Sequence, residues 1–465
     1  MQKKSSKNLQ NIHCVILAAG MGTRMKSKKS KVLHEISGKP MIEIVLDVAR
    51  SVASKITIVA SQENFADIST LLKLNQELNQ ECMESIVIQN ERLGTGHAVA
   101  VAITEIEESV AEKVLILYGD TPLITQETIE SMVLERNDIT FLGFEDLDVT
   151  NQYGRLVVDE NSAILHQNQR GRLFEIVEYK DATPEQRQVT ICNSGVVCVS
   201  KSTLINAIKK LQPSKITGEY YLTDIVAIAG DGGEKCGFLR CDKAEVLGVN
   251  SREDLAIVDK AMQKIIKLFH MQNGVTFLLP KTSYVFIGTK IGQDVTIQPN
   301  CFIGRNVEIK DCVEIRSCSY IEGCVVESGA FVGPFARIRP NTIIEENVGI
   351  GNFVEVKNSK IGKQTKAGHL SYIGDCEIGE NVNIGAGTIF CNYNGFEKFQ
   401  SIVGDGVFVG SNSTIISPVE IAKGTIVAAG SVVTKSTGDN SLVIARSEQT
   451  EILNGGEKFR ERYGK

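Results

Sequence analysis

Ile291-Gly-Gln-Asp-Val-Thr-Ile297-Gln-Pro-Asn-Cys-Phe-Ile303-Gly-Arg-Asn-Val-Glu-Ile309 begins a run in which a branched apolar residue returns every six positions. A strand repeats every two residues and a helix every 3.6 or so, so neither explains it. Ile315 and Ile321 keep the phase. After a shift it resumes at Val332, Ile338, Ile344, Ile350 and Val356, and a later set reads Val403, Val409, Ile415, Ile421, Val427 and Val433. A period of six in a segment rich in Ile, Val and Gly is the signature of a hexapeptide parallel β-helix. Each hexad makes one short flat side and a turn, and three sides close a coil of about 18 residues, giving roughly eight coils over 287–433. Gly and Asn beside the apolar positions, as in Ile303-Gly304-Arg305-Asn306 and Ile378-Gly379-Glu380-Asn381, suit corners where φ is positive.

A chain of 465 residues is too long for one core and predicts two large domains with a connector. Its net charge of −6 argues against a general binder of nucleic acid or membrane surfaces, while a local basic patch remains free to hold an anion. No window offers the 18 or so apolar residues of a membrane span. Residues 1–11 are basic, contain Ser and precede no apolar leader, so they read as a disordered tail of a cytoplasmic protein. The 12 cysteines include no Cys-x-x-Cys pair. Cys312, Cys318 and Cys324 lie six apart, at equivalent positions on successive sides of the coil, which predicts reduced cysteine used as a small apolar residue.

The first half alternates short apolar runs (Ile12 to Ala18, Ile56 to Ala60, Ile86 to Ile88, Val114 to Tyr118) with helix-period segments (Pro40 to Ala53, Thr95 to Ile106, Glu127 to Leu134). That alternation predicts an open, mostly parallel sheet binding its ligand beyond the carboxyl ends of its strands. The first such loop is Leu17-Ala18-Ala19-Gly20-Met21-Gly22-Thr23-Arg24-Met25, continuing to Lys31. Its glycines let backbone N–H groups approach a phosphate, and Arg24 and Lys31 add positive charge. It is neither the Gly-x-Gly-x-x-Gly nor the Gly-Lys-Ser/Thr phosphate loop. Asp120 in Tyr118-Gly-Asp-Thr-Pro122 and Asn250 after Val246-Leu-Gly-Val249 offer two oxygens that can share one Mg²⁺ on a nucleotide's phosphates.

Taken with Gln89 before Leu93-Gly-Thr-Gly-His97, Ile176-Val-Glu-Tyr-Lys-Asp-Ala182, Asn193-Ser-Gly195 and Gly218-Glu-Tyr-Tyr221, these segments resemble sugar-1-phosphate nucleotidyltransferases. More narrowly, the chain from about Ile12 to Arg446 is similar to the bifunctional bacterial N-acetylglucosamine-1-phosphate uridyltransferases and glucosamine-1-phosphate N-acetyltransferases. The resemblance implies an α/β Rossmann-like nucleotidyltransferase domain followed by a left-handed parallel β-helix. It implies that Leu17, Ala18, Ala19, Gly20, Arg24, Lys31, Gln89, Gly94 and Thr95 hold UTP, with Gln89 and the Gly94 loop on the uracil. It places Gly154, Glu178, Asn193 and Asn250 on the N-acetylglucosamine side of the product, and Asp120 and Asn250 on Mg²⁺. Met21 stands where such relatives commonly carry a lysine, which bears on nucleotide affinity.

In the coil, Arg339 and Lys357 are polar interruptions 18 residues apart, which stacks them on successive coils as a cationic pair for a phosphate. His369 lies 12 residues further on. The resemblance makes His369 the general base for acetyl transfer, with Glu355 orienting or tuning its imidazole. It puts Arg339, Lys357, Tyr372 and Asn383 on the sugar phosphate, and Ala386, Asn392, Tyr393, Ser411, Ala429 and Arg446 on acetyl-CoA. The six-count breaks at Cys391-Asn-Tyr-Asn-Gly-Phe-Glu-Lys398, a loop suited to binding residues, and the resemblance implies that it reaches a neighbouring subunit of a homotrimer. His13, His34, His166 and His270 read as structural, and His97 as capping a helix or touching ligand indirectly.

The expected organisation is thus a tail (1–11), a nucleotidyltransferase domain (12–250), a linker helix opened by Ser251-Arg-Glu-Asp (251–273), a β-helix acetyltransferase domain (274–437) and a C-terminal tail (438–465). UTP, acetyl-CoA and sugar phosphates are the expected partners, with neither nucleic acid nor membrane. The alternatives are a uridyltransferase whose coil only assembles it, and a noncatalytic assembly or regulatory protein built on the same folds.

Overall fold

The computed structural model describes residues 11–76, 82–158 and 170–464. The expected tail lies outside them except for Asn11, as does His166. The chain forms two compact units, Met1–Met262 and Gln263–Lys465. Their boundary falls inside the helix Arg252–Gln272. Its N-terminus is fixed reciprocally: the Ser251 hydroxyl accepts from the Asp254 N–H, while the Asp254 carboxylate accepts from the Asn250 and Ser251 N–H groups.

The first unit is built on a nine-stranded sheet. Met83–Ile88, Lys55–Ala60, Ile12–Leu17 and Lys113–Tyr118 lie side by side in parallel. Ile12 to Ile16 and Val114 to Leu117 are buried on both faces, as a helix-covered parallel sheet requires. The sheet is mostly parallel, as expected, with two strands reversed past that point. Ile191–Ser200 inserts antiparallel between Lys113–Tyr118 and Ile139–Glu145. Ile139–Glu145 and Cys236–Cys241 pair in parallel and run in the direction of the first four strands, and Arg170–Val177 is antiparallel to its neighbours Cys236–Cys241 and Arg155–Val158. The helical segment expected at Thr95 to Ile106 is two short helices, Thr95–Val101 and Ile103–Glu108, meeting at Ala102.

The second unit is a left-handed parallel β-helix whose three sheets hold ten, nine and eight strands. Most strands are two residues long, and in each the second residue points inward: Ile297, Ile303, Ile309, Ile315, Ile321 and Ile338 are at most 1% exposed. The coils run from Thr276 to Val443, beyond the span counted from the six-residue ladder. The segment after Gly438, expected as a tail, carries two elements. Leu442–Val443 pairs in parallel with Ile426–Val427, and Gly455–Tyr463 forms a helix. Leu442 and Val443 supply the alternating apolar pair that a further rung needs, with Val443 packed on the core.

Coil length varies. Thr296 faces Glu314 at a separation of 18, whereas Glu314 faces Phe331 at 17. The lost residue lies between Ile321 and Val326, and it takes Cys324 out of the phase of Cys312 and Cys318. Those two occupy corners at φ 59° and 61°, while Cys324 enters a strand and is buried. All 12 cysteines are free. Corners elsewhere use Asn, as at Asn300, Asn306 and Asn381, but three consecutive turns of one corner carry bulky residues. Phe335, Phe353 and Leu370 sit at φ 57°, 57° and 51°, about half exposed. No described helix is long and apolar enough to cross a membrane.

Candidate active sites

In the first unit, the loop after the strand Ile12–Leu17 opens on a cavity of about 510 Å³ lined by Leu17, Ala18, Ala19, Gly20, Lys31, Gln89, Gly94, Thr95, Asp120, Gly154, Glu178 and Asn193. Residues far apart in the sequence converge here because the parallel strands deliver the loops after their carboxyl ends to one sheet edge, where the antiparallel Ile191–Ser200 begins. The Ala18 N–H donates to the Val59 carbonyl at 2.8 Å, and the Gly119 N–H to the Leu17 carbonyl at 3.0 Å, which sets the loop's height above the sheet. Gly22 is at φ 58°, and a Cβ there would lie 2.6 Å from the Cβ of Lys31, so only glycine lets that lysine fold back under the loop.

The Lys31 ammonium, 9% exposed as a residue, pairs with the Asp120 carboxylate and donates to Asn250 Oδ1 at 3.1 Å. Asp120 and Asn250 therefore present two hard oxygens to one point, a donor set that fits Mg²⁺, which takes few protein ligands and the rest from phosphate and water. Arg24 is exposed and does not line the cavity. The lining arginine is Arg92, whose Nε donates to the Ala19 carbonyl at 3.1 Å and whose guanidinium pairs with Glu63 at 2.5 Å. Sequence reasoning missed it because it lies between Gln89 and the Gly94 motif without belonging to either. Met21 is 64% exposed.

At the far side of the cavity the Asn193 N–H donates to the Gly154 carbonyl at 2.8 Å, and Asn193 Oδ1 accepts from the Gly195 N–H at 2.9 Å. The Thr223 hydroxyl donates to Glu178 Oε1 at 3.0 Å. Burial raises the Glu178 pKa, opposed by the Thr223 hydrogen bond and reinforced by Asp224, Asp181 and Glu219.

In the second unit the register answers how the expected residues meet. Arg337 faces Glu355 and Ile338 faces Val356, so Arg339 and Lys357 follow on adjacent coils. They line a cavity of about 410 Å³ with Asn341, Asp375 and Lys398. Lys398 comes from the loop that breaks the six-count and was not among the expected site residues. Its ammonium is the leading cause lowering the Lys357 pKa, followed by desolvation, while Asp375 opposes the shift. Three cations around one cavity, partly offset by one carboxylate, suit a dianionic phosphate.

Glu355 accepts from Arg339 Nη1 at 2.9 Å. The imidazole of His369 has a different neighbour, Asn352, with Nδ1 2.5 Å from Oδ1. The two residues are register partners in Gly349–Asn352 and Lys366–His369, longer strands than the usual two-residue rungs. With Oδ1 accepting, the imidazole proton sits on Nδ1 and the Nε2 lone pair is free. No sequence signal marked Asn352, because 17-residue coils are invisible in an 18-residue count.

The same edge continues upward. Lys366 faces Asn383, which brings His369 beside Ala386 three residues on, and Asn383 faces Phe408, which brings Ala386 beside Ser411. The Asn412 N–H donates to the Ala386 carbonyl at 2.7 Å, the Gly430 N–H to the Ser411 carbonyl at 2.9 Å, and Arg446 Nη1 to the Ala429 carbonyl at 3.0 Å. His369, Ala386, Ser411, Ala429 and Arg446 thus form one column. Tyr372 and Asn392 meet at 3.5 Å around the corner, where Asn392 also bonds Asp375. Tyr393 is exposed, with its hydroxyl donating to the Gly395 carbonyl at 2.6 Å.

Comparison with known proteins agrees with both halves. The family model of the MobA-like NTP transferase domain matches residues 14–177, the bacterial transferase hexapeptide model residues 288–323, and the GMPPB C-terminal domain residues 321–419. The bifunctional protein GlmU of Paramagnetospirillum magneticum is 42% identical over 453 residues, covering 96% of each chain. That of Zymomonas mobilis is 40% identical, covering 96% of this chain and 97% of the relative. That of Thermotoga maritima is 40% identical over 460 residues, covering 94% and 97%. Matched from end to end, with a nucleotidyltransferase sheet followed by a hexapeptide coil, the chain belongs to the bifunctional GlmU family of transferases.

Proposed function

We propose that the chain makes UDP-N-acetylglucosamine in two reactions, acetyl transfer from acetyl-CoA to glucosamine-1-phosphate in the coil and uridylyl transfer from UTP to the product in the first unit. The observation that carries the reading is the column rising from His369 through Ala386, Ser411 and Ala429 to Arg446, which a mere scaffold has no need of. In the coil, Arg339, Lys357 and Lys398 hold the sugar phosphate. His369 Nε2 takes a proton from the glucosamine amine as its nitrogen attacks the thioester carbonyl, and CoA leaves as its thiol. Asn352 keeps the imidazole in the tautomer that leaves Nε2 free, acting as a positioning residue.

In the first unit, a phosphate oxygen of N-acetylglucosamine-1-phosphate attacks the α-phosphorus of UTP in line and pyrophosphate leaves. Gln89 and Gly94 face the base, Lys31 the phosphates, and Gly154, Glu178 and Asn193 the sugar. Mg²⁺ held by Asp120 and Asn250 would supply charge neutralisation to the phosphates. A homotrimer in the cytoplasm, with the loop 391–398 reaching a neighbouring copy, completes the reading.

The test supplies glucosamine-1-phosphate with acetyl-CoA, and separately N-acetylglucosamine-1-phosphate with UTP, to the wild type, His369→Ala and Asp120→Ala. Each variant should lose one reaction and keep the other. Unchanged acetylation by His369→Ala would remove the base assignment.

A further inference from the structure

His97 has no part in the two reactions as described, yet it is tied to the residue that faces the base. Its Nδ1 lies 3.1 Å from Gln89 Nε2, and the same amide nitrogen donates to the Gly94 carbonyl at 3.2 Å. A backbone carbonyl only accepts, so the amide atom turned toward it is the nitrogen. That settles the imidazole as well: facing a nitrogen that carries hydrogens, Nδ1 accepts, and the ring proton sits on Nε2. Both amide hydrogens of Gln89 are thereby used within the protein. Gln89 is 5% exposed and lines the cavity, and its Oε1 has no hydrogen bond among the described residues. What Gln89 offers a ligand is an acceptor alone.

The frame around it is firm. Gly94 is at φ 102°, where a Cβ would lie 2.5 Å from the Tyr220 carbonyl oxygen, and the Tyr220 N–H donates to the Leu93 carbonyl at 2.7 Å. The His97 ring lies 6.5 Å from the Tyr220 ring.

We infer that His97 sets the nucleobase preference of the nucleotide site by accepting the second amide hydrogen of Gln89 and so leaving an acceptor-only edge toward the base. The inference rests on the reading of Gln89 as the residue that faces the base. Uracil presents a ring N3–H donor to such an edge. Cytosine presents a lone pair at the same ring atom, so two acceptors would meet without a hydrogen between them. Rejection of this kind is stronger than a hydrophobic pocket achieves, because it leaves polar groups unpaired in the complex. With two internal hydrogen bonds holding the amide, turning it over to expose its NH₂ costs both. With one, the cost is roughly halved.

The experiment measures the ratio of kcat/KM for UTP to that for CTP in the full chain, for the wild type, His97→Leu, His97→Asn and Gln89→Leu. Acetyl transfer in the same preparations reports that the protein is intact. His97→Leu should lower the ratio about fivefold, the worth of one neutral hydrogen bond. His97→Asn, which can place an amide oxygen near the former Nδ1, should keep the ratio close to the wild-type value. A purely structural role would weaken UTP and CTP alike in His97→Leu, and an unchanged ratio there, with Gln89→Leu lowering it, overturns the inference while the reading of Gln89 stands. A loss in His97→Asn equal to that in His97→Leu overturns it too. If Gln89→Leu itself keeps the ratio, the base-facing reading fails and takes the inference with it.

Discussion

Replacing Gly351 by Ala is the smallest change that pries the His369 strand from its support. Gly351 and Gly368 lie on the adjacent strands Gly349–Asn352 and Lys366–His369, each one residue before a member of the Asn352–His369 pair. A Cβ on Gly351 would overlap the carbonyl oxygen of Gly368 and sit 2.5 Å from its carbonyl carbon. Carbon atoms at rest stay about 3.5 Å apart, so the strands must separate by at least about 1 Å. The obstacle is backbone, and no side chain can rotate away from it. The stability cost of such overpacking is about 1–3 kcal/mol. The kinetic cost is larger, because a displacement of about 1 Å at a reacting group costs on the order of 10²-fold in rate. Both reactions assayed on one preparation separate these effects. Gly351→Ala should lose acetyl transfer about a hundredfold and keep uridylyl transfer, with the sugar-phosphate KM nearly unchanged because Arg339 and Lys357 lie on another side of the coil. Wild-type acetyl transfer in a folded Gly351→Ala protein would refute the claim that this close approach holds the base in place.

Other outcomes follow from single residues. Asn352→Ala should lower kcat for acetyl transfer about five- to tenfold, the cost of losing one hydrogen bond that selects the tautomer, and leave KM for acetyl-CoA alone. Lys398→Ala should raise KM for glucosamine-1-phosphate about tenfold, with Lys398→Arg closer to wild type, as steady-state kinetics at low ionic strength will show. Burial is the leading cause that pulls the pKa of His13 from 6.5 to about 4, reinforced by Lys55. Its folded pKa lies below the unfolded one, so acid favours unfolding: stability is full above pH 6.5 and falls as pH drops toward 4. In calorimetry of the first unit's transition, His13→Gln should flatten that decline, whereas an unaltered acid slope would exclude His13 as its source.

The six-residue ladder was legible because inward and outward positions of a coil repeat in the sequence itself. Within a coil of constant length, Arg339 and Lys357 could be paired by counting, and the structure keeps them 18 residues apart on adjacent coils. Asn352 and His369 could not, since their separation of 17 depends on where a residue is dropped, and packing of the corners decides that. Lys398 was hidden for a related reason, as a loop that leaves the ladder carries no periodicity to place its far end. In the first unit the motifs marked loops correctly but not the sheet's second half. Ile191 to Ser200 has the apolar character of a buried strand in either direction, and nothing local to it specifies that it runs antiparallel.

The three bulky corner residues beside the base put a limit on how far this coil can be stabilised without cost to its chemistry. A left-handed backbone costs a residue with a large side chain about 1 kcal/mol or more, and Asn or Gly less. Exchanging Phe353 and Leu370 for Asn therefore looks like an easy gain in thermal tolerance. Yet each directly follows one member of the Asn352–His369 pair, so relaxing those corners releases the two residues whose separation must not change. Stability-driven engineering or selection would reach this corner early, and acetyl transfer would set the point at which it has to stop.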